Sequence, residues 1–284
     1  MRYTEIRPAI QLARFIECYW TLESDGNTAA PPPCEPILPD GCVELILNFG
    51  AQFVEHYDGR VMRQPVNFLV GQMTRPMLIA PTGPVCIIGI RFHPGGTLPF
   101  FRLPMHELTD STVELGAVSN NLERGLLERA GQEPSLLQKV RAVDACLNEW
   151  VGNSRQDSWI LDLAAKIVSE AGLISVDTLA SSTGISARQL ERRFLQDVGV
   201  APKLLCRILR FQRIFRSIEE NDGRWATVAA DCGYYDQAHL IRDFKQFAGD
   251  TPSLFLDQPG SLTEAFTRKD RMSHLSNILP AKLS

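Results

Sequence analysis

The stretch SVDTLASSTGISARQLERRFLQDV (175–198), set beside ATVAADCGYYDQAHLIRDFKQFAG (226–249), decides the fold of the C-terminal half. In the first, Ser175 stands where a helix N-cap belongs and Asp177 lies in the first turn, so a short helix runs from about Val176 to Ser182. Gly184 breaks it, Ile185 is an apolar pin, and Ser186 caps a second helix. There Leu190, Phe194 and Val198 recur at i, i+4 and i+8 and point inward, leaving Arg188, Gln189, Glu191, Arg192 and Arg193 on the other faces. The second stretch repeats the plan. Val228, Ala229 and Ala230 lie on a short helix, Gly233 breaks it, and Asp236 caps a helix with Leu240, Phe244 and Phe247 inside. SARQLERRF aligns with DQAHLIRDF, so Leu190 and Phe194 correspond to Leu240 and Phe244, and Arg192 to Arg242. One glycine-broken helix pair occurs in many all-α folds. Two in register make a helix-turn-helix repeat.

Between the copies lies APKLLCRILRFQRIFRSIEE (201–220). Pro202 falls in the first turn, where its missing N–H costs nothing. Leu204, Leu205, Ile208, Phe211, Ile214 and Phe215 form a wide apolar face. A helix of about 20 residues spans about 30 Å, near the ~34 Å between successive major-groove openings on one face of B-DNA. From 186 to 216 the basic residues are Arg188, Arg192, Arg193, Lys203, Arg207, Arg210, Arg213 and Arg216; the acidic ones are Glu191 and Asp197. The strip is +6. Arginine forks suit phosphate and guanine.

Further out the texture changes. Thirteen of the 18 prolines fall within the first 115 residues, and between them lie the runs VELILNF (43–49), NFLVG (67–71), PMLIA (76–80) and VCIIGIRF (85–92). Short β-branched and aromatic runs bounded by Pro and Gly read as strands, giving a sandwich or small barrel. From about 119 the pattern is helical: NLERGLLERAG (121–131), then Leu136, Val140, Val143, Leu147 and Trp150 in one stripe that packs on its own domain or on a second copy. The polar GNSRQDS (152–158) reads as a linker. The expected fold is therefore α+β: a β-rich domain with a helical hairpin (1–151), the linker, an all-α double helix-turn-helix domain (159–256) and a weakly ordered tail (257–284).

The whole chain has 284 residues and a formal charge of −4, so any nucleic-acid site must be local. Residues 1–159 are net −5, 160–256 net zero and the remainder net +1. No apolar run approaches the ~20 residues of a membrane span, and the N-terminus lacks a signal-peptide apolar stretch; a soluble, cytoplasmic protein without a membrane partner is expected. Seven scattered cysteines with no C-x2-C pair point to reduced thiols rather than a metal site or disulfide framework. No cofactor is expected.

Residues from about 160 to 256 resemble the AraC/XylS-type DNA-binding domain. The resemblance is carried by AADCGYYDQAHLIRDFKQFAGDTPSLF (229–255), with its Gly233-Tyr234 turn, the Phe244-Lys245 pair, and Gly249 before Thr251-Pro252. Ala238 departs from the family, where a small polar residue is common. The resemblance implies a sequence-specific, non-enzymatic transcription regulator, an activator by the habit of the family, with double-stranded DNA and RNA polymerase as partners. It places base-reading positions at Arg188, Glu191 and Arg192 and at Gln237, Ala238 and Arg242. Arginine forks to guanine, glutamine to adenine, and glutamate accepts from cytosine. Ser186, Lys203, Arg207 and Lys245 are better placed for phosphates. Arg192 and Arg242 have an alternative in pairing with Asp197 or Asp243.

More faintly, LPDGCVELILNFG (38–50), FLVGQMTRP (68–76) and IGIRFHPGG (88–96) resemble a β-rich sensor domain found ahead of such DNA-binding domains; these bind small molecules or mediate dimerisation. Arg91 and His93 share a strand face; they are candidates for an anionic effector group if that face lines a pocket, and a solvent-facing pair on a strand edge if it does not. Two other readings exist: a ligand-free module forming a homodimer, and a cysteine alkyl-transfer repair protein, which lacks the cysteine spacing such a domain uses.

Overall fold

The computed structural model describes residues 1–24, 34–57, 59–152, 159–221 and 224–256. The expected linker is thus described only at its first residue, and the tail falls outside the described residues except for its approach at Leu256.

The β-rich part is two antiparallel sheets. The strands are β1 (Arg2–Ile6), β2 (Ile16–Glu23), β3 (Glu35–Ile37), β4 (Val43–Asn48), β5 (Phe53–Tyr57), β6 (Arg60–Arg63), β7 (Asn67–Val70), β8 (Met77–Pro81), β9 (Cys86–Phe92) and β10 (Thr112–Glu114). One sheet has the order β1-β2-β9-β4-β7-β10, the other β3-β8-β5-β6. Strand alternation splits the residues of the larger sheet between two cores. On one face Tyr19, Leu45, Leu47, Leu69, Ile88, Ile90 and Phe92 are buried against helices. On the other, Trp20, Leu22, Ile46, Phe68 and Ile87 face the smaller sheet. The sandwich expectation holds, with a helical third layer.

Register builds one corner of that second core. Trp20 pairs with Gly89, and Gly89 with Ile46 on the next strand. A Cβ on Gly89 would stand 1.9 Å from the Trp20 ring, so only glycine lets the indole lie across the strand. One pair further along, Arg91 faces Glu44, and the Trp20 indole N–H donates to Glu44 Oε1 at 3.1 Å.

The helical layer is α1 (Leu115–Gly131) and α2 (Leu136–Gly152). Val140, Val143 and Leu147 are buried in the first core, and Leu136 and Trp150 pack against it. The α2 stripe therefore faces its own domain.

The C-terminal part contains α3 (Trp159–Ser169), α4 (Val176–Thr183), α5 (Ala187–Asp197), α6 (Pro202–Glu220), α7 (Trp225–Asp231), α8 (Gln237–Ala248) and α9 (Pro252–Leu256). Helix α6 serves two cores. Leu205 and Leu209 pack with Leu190 and Phe194 of α5, while Ile208, Phe211 and Ile214 pack with Leu240, Phe244 and Phe247 of α8. The two parts of the chain share cores as well. Leu161 of α3 is buried in the N-terminal core, and Leu38 is buried in the second helix-turn-helix core. Thr109 Oγ1 donates to Gly199 O at 2.8 Å. Among the described residues no helix is long and apolar enough to cross a membrane.

Candidate nucleic-acid interface

Both helix-turn-helix units are built from local signals. The Ser175 hydroxyl accepts from Thr178 N–H at 3.0 Å and starts α4. Gly184 takes φ +70° and ends it, as glycine does at helix C-termini. Ser186 and Gln189 form a capping box that starts α5. In the second unit Gly233 takes φ +72°, and the Asp236 carboxylate accepts from His239 N–H at 2.7 Å to start α8.

The outward faces carry the expected side chains. Arg188, Glu191 and Arg192 on α5, and Gln237, Ala238 and Arg242 on α8, are all exposed. Ser186, Lys203 and Lys245 are exposed too, although the Ser186 hydroxyl is engaged in its cap. The two acids named as alternative partners take other arginines: Asp197 pairs with Arg193 at 3.0 Å and Asp243 with Arg207 at 2.8 Å. Arg188, Arg192 and Arg242 have no ion pair among the described residues.

Arg207 calls for a correction. Its Nε and Nη2 donate to both carboxylate oxygens of Asp243, at 3.2 and 2.8 Å, and Nη2 donates to Gln246 Oε1 at 2.7 Å. Asp243 is 2% exposed. A buried carboxylate needs a paired cation, so Arg207 joins α6 to α8 and is not displayed for a phosphate. Arg216 pairs with Glu220 at 3.2 Å. Three of the eight cations in the basic strip are thereby ion-paired within their own domain, and a fourth, Arg210, donates to Gly233 O at 3.3 Å. Burial pushes the Asp197 carboxyl above its usual range, partly offset by Arg193.

The sequence reading passed over Tyr235. The turn has two tyrosines, Tyr234 at 5% exposure and Tyr235 at 93%. Tyr235 stands at the mouth of α8, immediately before the Asp236 cap and close in sequence to Gln237 and Ala238. Its signal was legible: of two adjacent aromatic residues before an N-cap, only one can enter the core.

The candidate effector residues are placed differently from the expectation. Arg91 is 1% exposed. Its Nη2 donates to Glu44 Oε1 and its Nε lies 3.5 Å from Asp40 Oδ2. These two carboxylates hold the guanidinium in its charged form. A cation already facing two anions does not call for a third, so the anion site expected at Arg91 and His93 is not formed. His93 is half-buried, its backbone N–H donating to Phe15 O at 2.9 Å, and it does not line the cleft that Arg91 lines.

The thiols of Cys86, Cys146, Cys206 and Cys232 are pushed up by burial, Cys232 to about 11. Alkyl acceptance requires the opposite shift. Among the described residues no group of three or more His, Cys, Asp or Glu side chains is placed to hold a metal ion.

Residues 179–258 match the model of a helix-turn-helix domain, and residues 4–114 match a domain of unknown function (DUF6597). No curated protein sequence matches the chain. Among solved structures, ToxT from Vibrio cholerae aligns over 84% of this chain and 97% of its own, at 8% identity and a TM-score of 0.43. A ToxT structure from strain SCE256 with a bound unsaturated fatty acid aligns over 90% and 97%, at 10% identity and a TM-score of 0.42.

Proposed function

We propose that this protein is a sequence-specific, DNA-binding transcription activator of the AraC/XylS type whose β-rich half responds to a small molecule, a reading supported by the match of residues 179–258 to a helix-turn-helix domain. The supporting observation is the pair of capped helices, α5 and α8, held by one 19-residue helix with six expected base-facing positions exposed. At about 1.5 Å per residue α6 is about 28 Å long, so the two readers address adjacent major-groove openings on one face of the duplex. Arg188, Glu191 and Arg192 read one segment; Gln237, Ala238 and Arg242 read the other, with Tyr235 just ahead of them in sequence. Lys203, Lys245 and the cap of Ser186 contact phosphates. Activation brings RNA polymerase in as a partner and places the protein in the cytoplasm. The domain boundaries of this reading fall at 151 and 159.

Selection from random duplex DNA with the full chain, followed by footprinting, tests it. Two protected segments about one helical turn apart are expected. No protection at any sequence overturns the proposal.

A further inference from the structure

Inside the sandwich, between the larger sheet and the smaller one, is an open-mouthed cleft with a volume of about 70 Å³. Its walls are mostly apolar, with Trp20, Ile46 and Phe68 from one sheet and Phe53, Met77 and Ile79 from the other. Its polar corner is Arg91 with Glu44 and Asp40. Arg91 Nη1 is buried and has no hydrogen-bond partner among the described residues. An unmet buried donor of this kind is costly, and the side chain that carries it belongs to a residue lining the cleft.

The same cleft touches the DNA-binding half. Ile37, Leu38, Asp40 and Cys42 line it, and this strap of chain continues onto α6. The Leu38 side chain is buried beside Ile208 and Phe211. Pro39 O accepts from the Gln212 side-chain amide. A Cβ on Gly41 would meet Leu205 at 2.9 Å, and Gly41 O accepts from Gln72 Nε2 at 2.6 Å. Leu205, Ile208, Phe211 and Gln212 all belong to α6, the helix that sets the spacing of the two readers.

We propose that the cleft binds an uncharged, largely apolar molecule presenting one carbonyl or hydroxyl oxygen to the Arg91 corner, and that strap 37–42 transmits its occupancy to α6. The proposal rests on the reading of the protein as an effector-responsive DNA-binding regulator, and gives that effector a chemical class. An acidic ligand is disfavoured because the corner already holds two carboxylates to one guanidinium. An ammonium ligand adds a second cation beside the first.

Three probes of one shape separate these classes on the full chain: 4-phenylbutan-2-one, 4-phenylbutanoate and 4-phenylbutylammonium, each at millimolar concentration. A ligand that binds only the native state raises the melting temperature. The ketone is expected to raise it and to bind at least about tenfold more tightly than either charged probe, a difference of about 1.4 kcal/mol. Val70→Phe, which fills the cleft, is expected to abolish the shift. With a DNA site selected as above, the ketone is expected to change wild-type affinity at least severalfold. Gln212→Leu is expected to keep ketone binding and bring that ratio towards one. DNA binding without ketone binding, or tighter binding of a charged probe, overturns the ligand class. Ketone binding with an unchanged DNA affinity in the wild type overturns the transmission. Absence of any DNA binding overturns the regulator reading itself.

Discussion

Arg192 is exposed on α5 with no ion pair among the described residues, whereas Arg207 is forked onto a carboxylate 2% exposed. The two arginines therefore fail differently. Arg192→Ala is expected to leave stability unchanged and to cost about 1–3 kcal/mol of specific binding, with relaxed preference at one base. Equal weakening on specific and random DNA would instead assign Arg192 to a phosphate. Arg207→Ala strands Asp243, and denaturant unfolding is expected to show a loss of about 3–5 kcal/mol. Arg207→Met combined with Asp243→Leu should recover most of it, since an apolar pair of similar volume leaves no buried charge unpaired. Cys232 gives a pH signature. Its thiol ionises at about 11 in the folded protein against an ordinary 9.0. Between those values the unfolded chain releases a proton that the folded chain retains, so this group's contribution to stability falls as pH rises. Cys232→Ala is expected to make the decline in melting temperature between pH 9 and 11 shallower; an unchanged slope would refute the shift.

Two glycines in the left-handed region separate local strain from close approach. Gly184 has φ +70° and nothing within 4 Å of an added Cβ, so Gly184→Ala is expected to cost about 1–2 kcal/mol from backbone conformation alone. Gly172, at φ +73°, would place its Cβ 2.2 Å from Cys206 O. Gly172→Ala must move α6 away from the turn and is expected to cost well over the Gly184 figure in the same unfolding experiment. Elements whose signals are local were legible in the sequence. Ser175, Ser186 and Asp236 are caps where the capping rules place them, and the buried repeats Leu190/Phe194 and Leu240/Phe244 follow from helical period. What depends on register or tertiary meeting was not legible. Arg91 is 47 residues from Glu44 and 36 separate Arg207 from Asp243. Nothing in local pattern says which strand row or helix crossing brings them together. Alternation along the strand puts Arg91 and His93 on one face but does not say what covers it. The smaller sheet, which covers that face at Arg91, was not readable from β9 alone.

Across the whole molecule, the division suggested by the sequence is not a division of the cores. Leu161 fills the N-terminal core, Leu38 fills the second helix-turn-helix core, and Arg14 reaches Asp162 at 3.0 Å. Calorimetry of the full chain is expected to show one cooperative transition. Two separated transitions would mean that the shared residues couple little. An excised 159–256 fragment loses Leu38 from its core and is expected to melt below the full chain. The strap at 37–42 has a consequence for inheritance as well. A gene fusion made in the 152–158 region looks clean in one dimension, yet it hands the DNA-reading half to a new partner without the leucine that completes its packing. A sensor exchanged in evolution, or by an engineer, must bring a matching hydrophobic plug for α6. Recombination between such proteins is then constrained by a side chain that lies more than a hundred residues upstream of the splice.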